Sequence, residues 1–181
     1  MRKFLVVCLT AALVACGGGG GGAGGNPGAG GPGAGGPPSQ GTTVYGTLTA
    51  SERALLGTDA DGDGVRDDVD AWIAATYTDP AARAAAVVAA QWDTWAMIRG
   101  SRGTATTQAE LHQWESAQDC FDMRVINAMG DKAPSSHDWA ATLFNTHDRT
   151  KAYLTWDAST DGQYSLGTTT PCNEIGALTT P

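Results

Sequence analysis

Six carboxylates lie within the twelve residues from Asp59 to Asp70, a density suited to binding a cation. Counted from Asp59, acids occupy positions 1, 3, 5, 9 and 12, and Gly64 occupies position 6. This is the spacing of a twelve-residue calcium loop, in which carboxylate and carbonyl oxygens surround a hard cation. We therefore predict a Ca²⁺ site with these ligands: Asp59, Asp61, Asp63, the backbone carbonyl of Val65, Asp67 directly or through water, and Asp70.

The same acids also suit a solvated loop followed by the start of a helix. Asp67, Asp68 and Asp70 would then lie in the first helical turn, where the peptide dipoles favour negative charge. Without a cation the acids repel one another, and two Asp-Gly pairs leave the backbone free to move. A bound ion is therefore expected to order the segment and to act structurally.

The twelve residues resemble the calcium motif of thrombospondin type 3 repeats and, more broadly, the EF-hand-like loops of exported bacterial proteins. The resemblance implies calcium binding through Asp59, Asp61, Asp63, Asp67 and Asp70. Two positions depart from the EF-hand pattern, because Arg66 replaces an apolar anchor and an aspartate rather than a glutamate closes the loop. The shorter closing side chain predicts a modest affinity, with a Kd of about 10⁻⁴ to 10⁻³ M.

A second copy of the loop is not predicted. Asp157, Ser159, Asp161 and Gly162 repeat positions 1, 3, 5 and 6, but Thr168 stands where an acid should close the site. A turn is the expected structure there. Dockerin modules, which also place aspartate at the twelfth position, need two copies, so the chain resembles them less.

Residues 1–15 have the pattern of an export signal, with two basic residues, an apolar run and a small residue, Ala15, at the end. The apolar run is too short to span a bilayer, which takes about 20 residues, so its removal is expected. Residues 13–16 resemble the lipobox of bacterial lipoproteins, which implies that Cys16 becomes the mature N-terminus and carries acyl chains such as palmitate. The alternative is an ordinary secretory signal cut near Ala15, with Cys16 unmodified.

Residues 16–41 are predicted to be a disordered, flexible linker. From Gly17 to Gly41 there are 15 glycines and four prolines and no large apolar side chain, so the segment cannot form a core. The linker lacks a Gly-Lys-Ser or Gly-Lys-Thr motif, which argues against a phosphate-binding loop. The remaining residues, 42–181, fit a single domain able to bury its own core.

The net charge limits the possible binding partners, and the number of cysteines limits the possible disulfides. The chain has 19 acidic and 11 basic side chains, a formal net charge of −8, which argues against nucleic acid as a partner. Cys8 falls in the signal and Cys16 at the lipidation site, which leaves Cys120 and Cys172. In an exported protein such a pair predicts a disulfide, with a reactive thiol at Cys120 as the alternative.

Apolar spacing and capping signals predict a mostly α fold: a small helical bundle that follows the linker, with the calcium loop between its first two helices. The expected helices run from the Thr49 cap to Gly57, onward from Asp67, from about Pro80 to Arg99 with a break at 100–103, from Thr106 or Thr107 to about Met129, and from Ser136 until 155–162. The tail, residues 163–181, is expected to be a loop. The six tryptophans are assigned mostly to the core, and Trp156 is expected to be the most exposed of them.

The leader, the linker and the acidic loop together favour a lipid-anchored, calcium-stabilised protein of the bacterial cell envelope, at the outer membrane. Its expected role is binding, adhesion or structure, with the membrane and an envelope protein or glycan as partners. The alternative is an envelope hydrolase whose calcium is structural. Catalysis is not predicted, because the chain has no HExxH, GxSxG or CxxC motif. The residues that could serve the hydrolase are His112 with Glu115, His137 with Asp138, and His147 with Asp148.

Overall fold

The computed structural model describes residues 44–163 and 170–175, which belong to one compact unit, Gly36–Pro181. This part of the chain is mostly helical and contains no strand, so the predicted fold class is confirmed. The α-helices in it are α1 Ala50–Leu56, α2 Asp67–Thr76, α3 Pro80–Arg102, α4 Gln108–Met129, α5 Ser136–Leu143, α6 His147–Ser159 and α7 Pro171–Glu174. The leader and the linker, residues 1–41, lie outside the described residues.

The predicted start signals of three helices are confirmed. Thr49 and Glu52 form a capping box at α1, in which the Glu52 N–H donates to the threonine hydroxyl at 3.2 Å. Asp79 caps α3 by accepting two backbone N–H groups, with Pro80 at the first helical position. Thr107 caps α4. Side-chain oxygens thus satisfy backbone donors that have no partner within the helix.

Helix α3 is the centre of the bundle, since it packs against α1, α2, α4, α5 and α6. Six of its alanines are buried, and Ala86 and Ala89 have no exposed surface; these small side chains allow neighbouring helices to approach closely. Two hydrophobic clusters lie along it. The first joins α2, α4 and α5 around residues such as Ile73 and Phe121, and the second joins α1, α4 and α6 around Trp95.

Helix α3 ends within the break predicted at 100–103, but it continues through Gly100 to Arg102, three residues beyond the predicted end at Arg99. A Cβ atom at Gly100 would lie 2.0 Å from the carbonyl oxygen of Ala152 in α6. This glycine therefore permits close packing of two helix backbones and does not end the helix. Gly103, which adopts a left-handed conformation (φ 64°), is the residue that ends it.

The last long helix predicted from Ser136 is two helices, α5 and α6. The chain leaves helical geometry at Phe144, and the Thr146 hydroxyl then accepts the N–H of Arg149 to begin α6. The cap of α5 is Ser135, one residue before the predicted one. This break allows α5 to pack against α2 and α3 while α6 lies along α3.

Two further expectations need correction. Trp156 is buried, with 1% of its surface exposed, and its indole N–H donates to the Thr106 hydroxyl at 2.9 Å. The predicted tail loop contains a short helix, α7, while residues 164–169 and 176–181 lie outside the described residues. The general assignment of tryptophans to the core is confirmed: Trp92, Trp95, Trp139 and Trp156 are buried, and Trp72 and Trp114 are partly buried.

The predicted disulfide is confirmed. Cys120 and Cys172 are bonded, with an S–S distance of 2.07 Å, and the bond attaches α7 to α4. It links residues 52 positions apart.

Asp93 on α3 joins three helices from inside the bundle. Its carboxylate is buried and accepts the indole N–H groups of Trp114 at 2.9 Å and Trp139 at 2.8 Å. The side-chain amide of Gln118 donates to it at 3.0 Å. Because Trp114 and Gln118 lie on α4 and Trp139 lies on α5, this one side chain fixes both helices against α3.

Candidate metal centre

The acidic loop lies between α1 and α2, as predicted, and brings three carboxylates to one place. Asp59, Asp61 and Asp63 each offer an oxygen, and these oxygens all lie within 4.8 Å of one another. Asp61 is exposed, whereas Asp59 and Asp63 are half-buried. Among the described residues, this is the group of three or more acids, histidines or cysteines that could hold a metal ion.

Backbone amides of the loop hold these carboxylates in place. Asp59 accepts the N–H of Gly62 at 2.8 Å and that of Gly64 at 3.0 Å, and Asp63 accepts the N–H of Val65 at 2.7 Å. Gly62 and Gly64 have φ values of 76° and 93°, a region that residues with a Cβ rarely adopt. The glycines therefore allow the loop to curl around its own acids.

Two side chains from outside the loop support its backbone. The hydroxyl of the buried Tyr45 donates to the carbonyl oxygen of Gly64 at 2.6 Å and lies 3.0 Å from that of Gln91. The Gln91 amide donates to the carbonyl oxygen of Asp63 at 2.7 Å. Because Gln91 lies on α3, the loop is fixed to the central helix of the bundle.

Burial and mutual repulsion raise the pKa values of three acids in this segment. Burial, and then the nearby acids, raise the pKa of Asp59 and that of Asp63. Burial raises the pKa of Asp70 to about 6, with further contributions from the negative charges of Asp63, Asp61, Asp59 and Asp67. Each of these shifts indicates that the ionised form is disfavoured, and a divalent cation among the acids would reverse that effect.

The predicted ligands are therefore only partly brought together. Asp67 and Asp70 are in α2 and outside the group of oxygens around Asp59. A carboxylate oxygen of Asp67 accepts the N–H of Ala60 at 2.8 Å. Val65 buries its side chain, with 1% of its surface exposed. Coordination by Asp67, by Asp70 and by the Val65 carbonyl stays a prediction.

Three residues that hold the loop were not singled out from the sequence as supports, namely Tyr45, Gln91 and Arg66. The buried Arg66 guanidinium pairs with Asp68 and donates to the carbonyl oxygens of Thr142 at 2.8 Å and Leu143 at 3.2 Å. It thus fixes the loop to the end of α5 with the hydrogen bonds of a cation. The sequence signal for this role was the position of Arg66, which stands where an EF-hand loop has an apolar anchor.

The residues of the hydrolase alternative lie apart on the helices. His112 is on α4, His137 on α5 and His147 on α6. His147 and Asp148 approach to 3.3 Å, but both side chains are more than four-fifths exposed. In the described part of the chain, no histidine joins the aspartates in a metal-binding group.

The remaining site predictions fall elsewhere. Cys16 lies outside the described residues, so its lipidation stays a prediction. No helix in the described ranges is long and apolar enough to cross a membrane. Comparison with known proteins finds no matching family model, no matching curated protein and no matching solved structure.

Proposed function

We propose that the chain is a lipid-anchored, calcium-stabilised domain of the bacterial cell envelope with a binding, adhesion or structural role. The observation that carries the metal part is the gathering of Asp59, Asp61 and Asp63 within 4.8 Å, held by amides of the same loop. The anchor is supported by the lipobox-like residues before Cys16, and the reach away from a membrane by the Gly-rich linker.

Calcium is the proposed ion because the site offers only oxygens. Hard cations take carboxylate and carbonyl ligands, and Ca²⁺ accepts six to eight of them in flexible geometry. Three carboxylates alone would leave the ion short of ligands. Asp67, Asp70 and the Val65 carbonyl, together with water, are the groups proposed to complete its shell.

The proposed role of calcium is structural. The loop is attached to α3 through Tyr45 and Gln91 and to α5 through Arg66, so an ion that orders the loop would stabilise the junction of these elements. Burial of Val65 and Val69 in the first core cluster adds a packing link between the loop and the bundle. None of the contacts in the described part of the chain favours the hydrolase alternative.

Calorimetric titration of the purified full-length protein with CaCl₂, after chelation, tests the metal part. One binding event with a Kd of about 10⁻⁴ to 10⁻³ M is expected, and Mg²⁺ should bind more weakly because it demands octahedral geometry. Absence of heat at millimolar calcium, together with identical melting curves in calcium and in EDTA, would contradict the proposal.

Membrane fractionation tests the anchor independently of the metal. In a bacterial host with two membranes, the wild-type protein should incorporate radiolabelled palmitate and sediment with membranes, since acyl chains contribute about 0.8 kcal/mol per buried CH₂. Cys16→Ser should remain unlabelled and be found in the soluble fraction or retain its leader. Equal membrane association and labelling of both proteins would contradict lipidation at Cys16.

The binding role is tested by comparing wild type with Asp63→Asn. Immobilised proteins are exposed to purified envelope glycans and to solubilised envelope proteins, with calcium or with EDTA. Capture by the wild type in calcium alone, and its absence in the variant, would support a calcium-dependent partner. Equal recovery in every condition would show that binding does not depend on calcium, and absence of capture in every condition would leave the domain with a structural role.

A further inference from the structure

Helix α7 is too short to be stable without its surroundings. It has four residues, whereas isolated helices in water need roughly 12 to 15 residues to be even marginally stable. It packs on α4, to which the Cys120–Cys172 bond attaches it. Pro171 at its start is buried, and Ile175 directly follows its end.

The segment Pro171–Ile175, which we call the strap, lies where the two core clusters meet. Cys172 and Ile175 pack against the first cluster, which contains Cys120 and Phe121. Ile175 also packs against the second cluster. The strap therefore lies over the seam between the two clusters, with Ile175 in contact with both.

We propose that the strap is a redox-sensitive cover: the disulfide holds it over the seam, and reduction releases it while helices α1 to α6 remain folded. Once the bond is cut, the strap is held by the packing of a few side chains, two of which, Cys172 and Ile175, are only partly buried. By contrast, α3 is held by contacts with five other helices. Local opening is expected where few buried contacts hold a segment.

A dithiol is the class of reductant that fits. Its thiolate attacks the Sγ of Cys172, because Cys172 is the partly exposed residue of the pair and Cys120 is 5% exposed. A mixed disulfide forms at Cys172, and Cys120 leaves as a thiolate that takes a proton. The second thiol of the reductant then attacks the mixed disulfide and releases Cys172. The reductant becomes a disulfide, and two electrons and two protons pass to the cysteine pair.

The test uses full-length Cys172→Ser, in which the bond cannot form, and measures alkylation of Cys120 by iodoacetamide with peptide mass spectrometry. If the strap leaves, Cys120 should react within about tenfold of its rate in the urea-unfolded protein. Far-UV circular dichroism should keep the wild-type helical signal. Wild-type protein reduced with dithiothreitol serves as a matched sample without a substitution and should behave in the same way.

Either of two results would overturn the proposal. Labelling of Cys120 more than about tenfold slower than in urea would show that the strap stays in place without its bond. Loss of the helical signal would show that the disulfide is needed for the fold of the whole domain and does not hold the strap alone. Retained helices with rapid labelling support it.

Discussion

Carboxylates are placed in two opposite ways in this bundle. In the acidic loop, Asp59, Asp61 and Asp63 face one another, and burial and neighbouring acids disfavour their ionised forms. At the junction of α3, α4 and α5, Asp93 stands alone, and three neutral donors fill its two oxygens. A buried acid therefore need not indicate a ligand: a carboxylate saturated by protein donors is structural, whereas a gathered group of carboxylates could hold a cation.

The largest effect is expected from removing the saturated carboxylate. Asp93→Ala leaves the indole N–H groups of Trp114 and Trp139 and the Gln118 amide without their acceptor in the core. Unsatisfied buried donors cost about 1 to 3 kcal/mol each, so the free energy of unfolding should fall by roughly 4 kcal/mol in urea denaturation. The exposed Asp131→Ala should change it by less than about 0.5 kcal/mol. Similar free energies of unfolding for the two variants would contradict a structural role for Asp93.

A pH series tests how burial of the Asp93 carboxyl affects stability. The Asp93 carboxyl has an ordinary pKa of 3.8, and burial raises its pKa to about 6 in the folded protein, although its three hydrogen bonds act in the opposite direction. Between these pH values the folded protein binds more protons than the unfolded chain. The contribution of Asp93 to the free energy of unfolding is therefore greatest below about pH 4, falls as the pH rises to about 6, and is constant above that.

Urea denaturation of wild type and Asp93→Asn at pH 4 and pH 7 checks this sign. The other acids titrate in both proteins, so subtracting the variant isolates Asp93. The wild-type advantage should be larger at pH 4 than at pH 7 by roughly 3 kcal/mol, since one pKa unit corresponds to about 1.4 kcal/mol. A difference that is the same at both pH values would mean that the hydrogen bonds offset burial completely.

Calcium should stabilise the protein through the aspartates of the acidic loop. At a calcium concentration tenfold above Kd, the wild-type free energy of unfolding should rise by about 1.4 kcal/mol, which corresponds to a few degrees in Tm. Asp63→Asn should abolish this shift, because the loop loses a ligand and a negative charge. The exposed Asp119→Asn on α4 is the matched control and should retain it. A shift of equal size in both variants would place the ion elsewhere.

The smallest effect concerns how the loop is held. Tyr45→Phe removes the hydroxyl that donates to Gly64 and should cost about 1 kcal/mol of stability. If the bond also presets the loop, the Kd for calcium should rise several-fold. Tyr153→Phe, whose ring packs on Phe144 and Trp156, is the control and should leave the Kd unchanged. Calorimetric titration distinguishes the two, and an unchanged Kd in Tyr45→Phe would make this contact purely structural.

Local signals predicted much of the fold, because capping and periodicity depend on neighbours in the chain. The Thr49 and Asp79 caps and the loop between α1 and α2 are where the sequence pattern places them. The failures depend on distant contacts. Gly100 suggests a helix break in the sequence, but the structure requires glycine there because the backbone of Ala152 in α6 approaches closely. Trp156, adjacent to a polar helix end, is buried by the bundle and bonded to Thr106.

The candidate site was predictable to a similar extent. Spacing alone identified Asp59, Asp61 and Asp63, since a glycine-rich loop of this length curls its alternate residues together. Spacing could not identify Tyr45 or Gln91, which reach the loop from 19 and 28 residues away. It also could not show that Arg66, the one departure at the anchor position, would reach the end of α5. Such contacts depend on the tertiary fold.

Tyr45 couples the acidic loop to the core of the bundle. It is buried and precedes both α1 and the loop in the chain. Its hydroxyl donates to the carbonyl oxygen of Gly64, and its ring packs in the second core cluster. Displacing Tyr45 would thus disturb the loop and the packing around α3 together, so the conformation of the acidic loop is coupled to the core of the bundle.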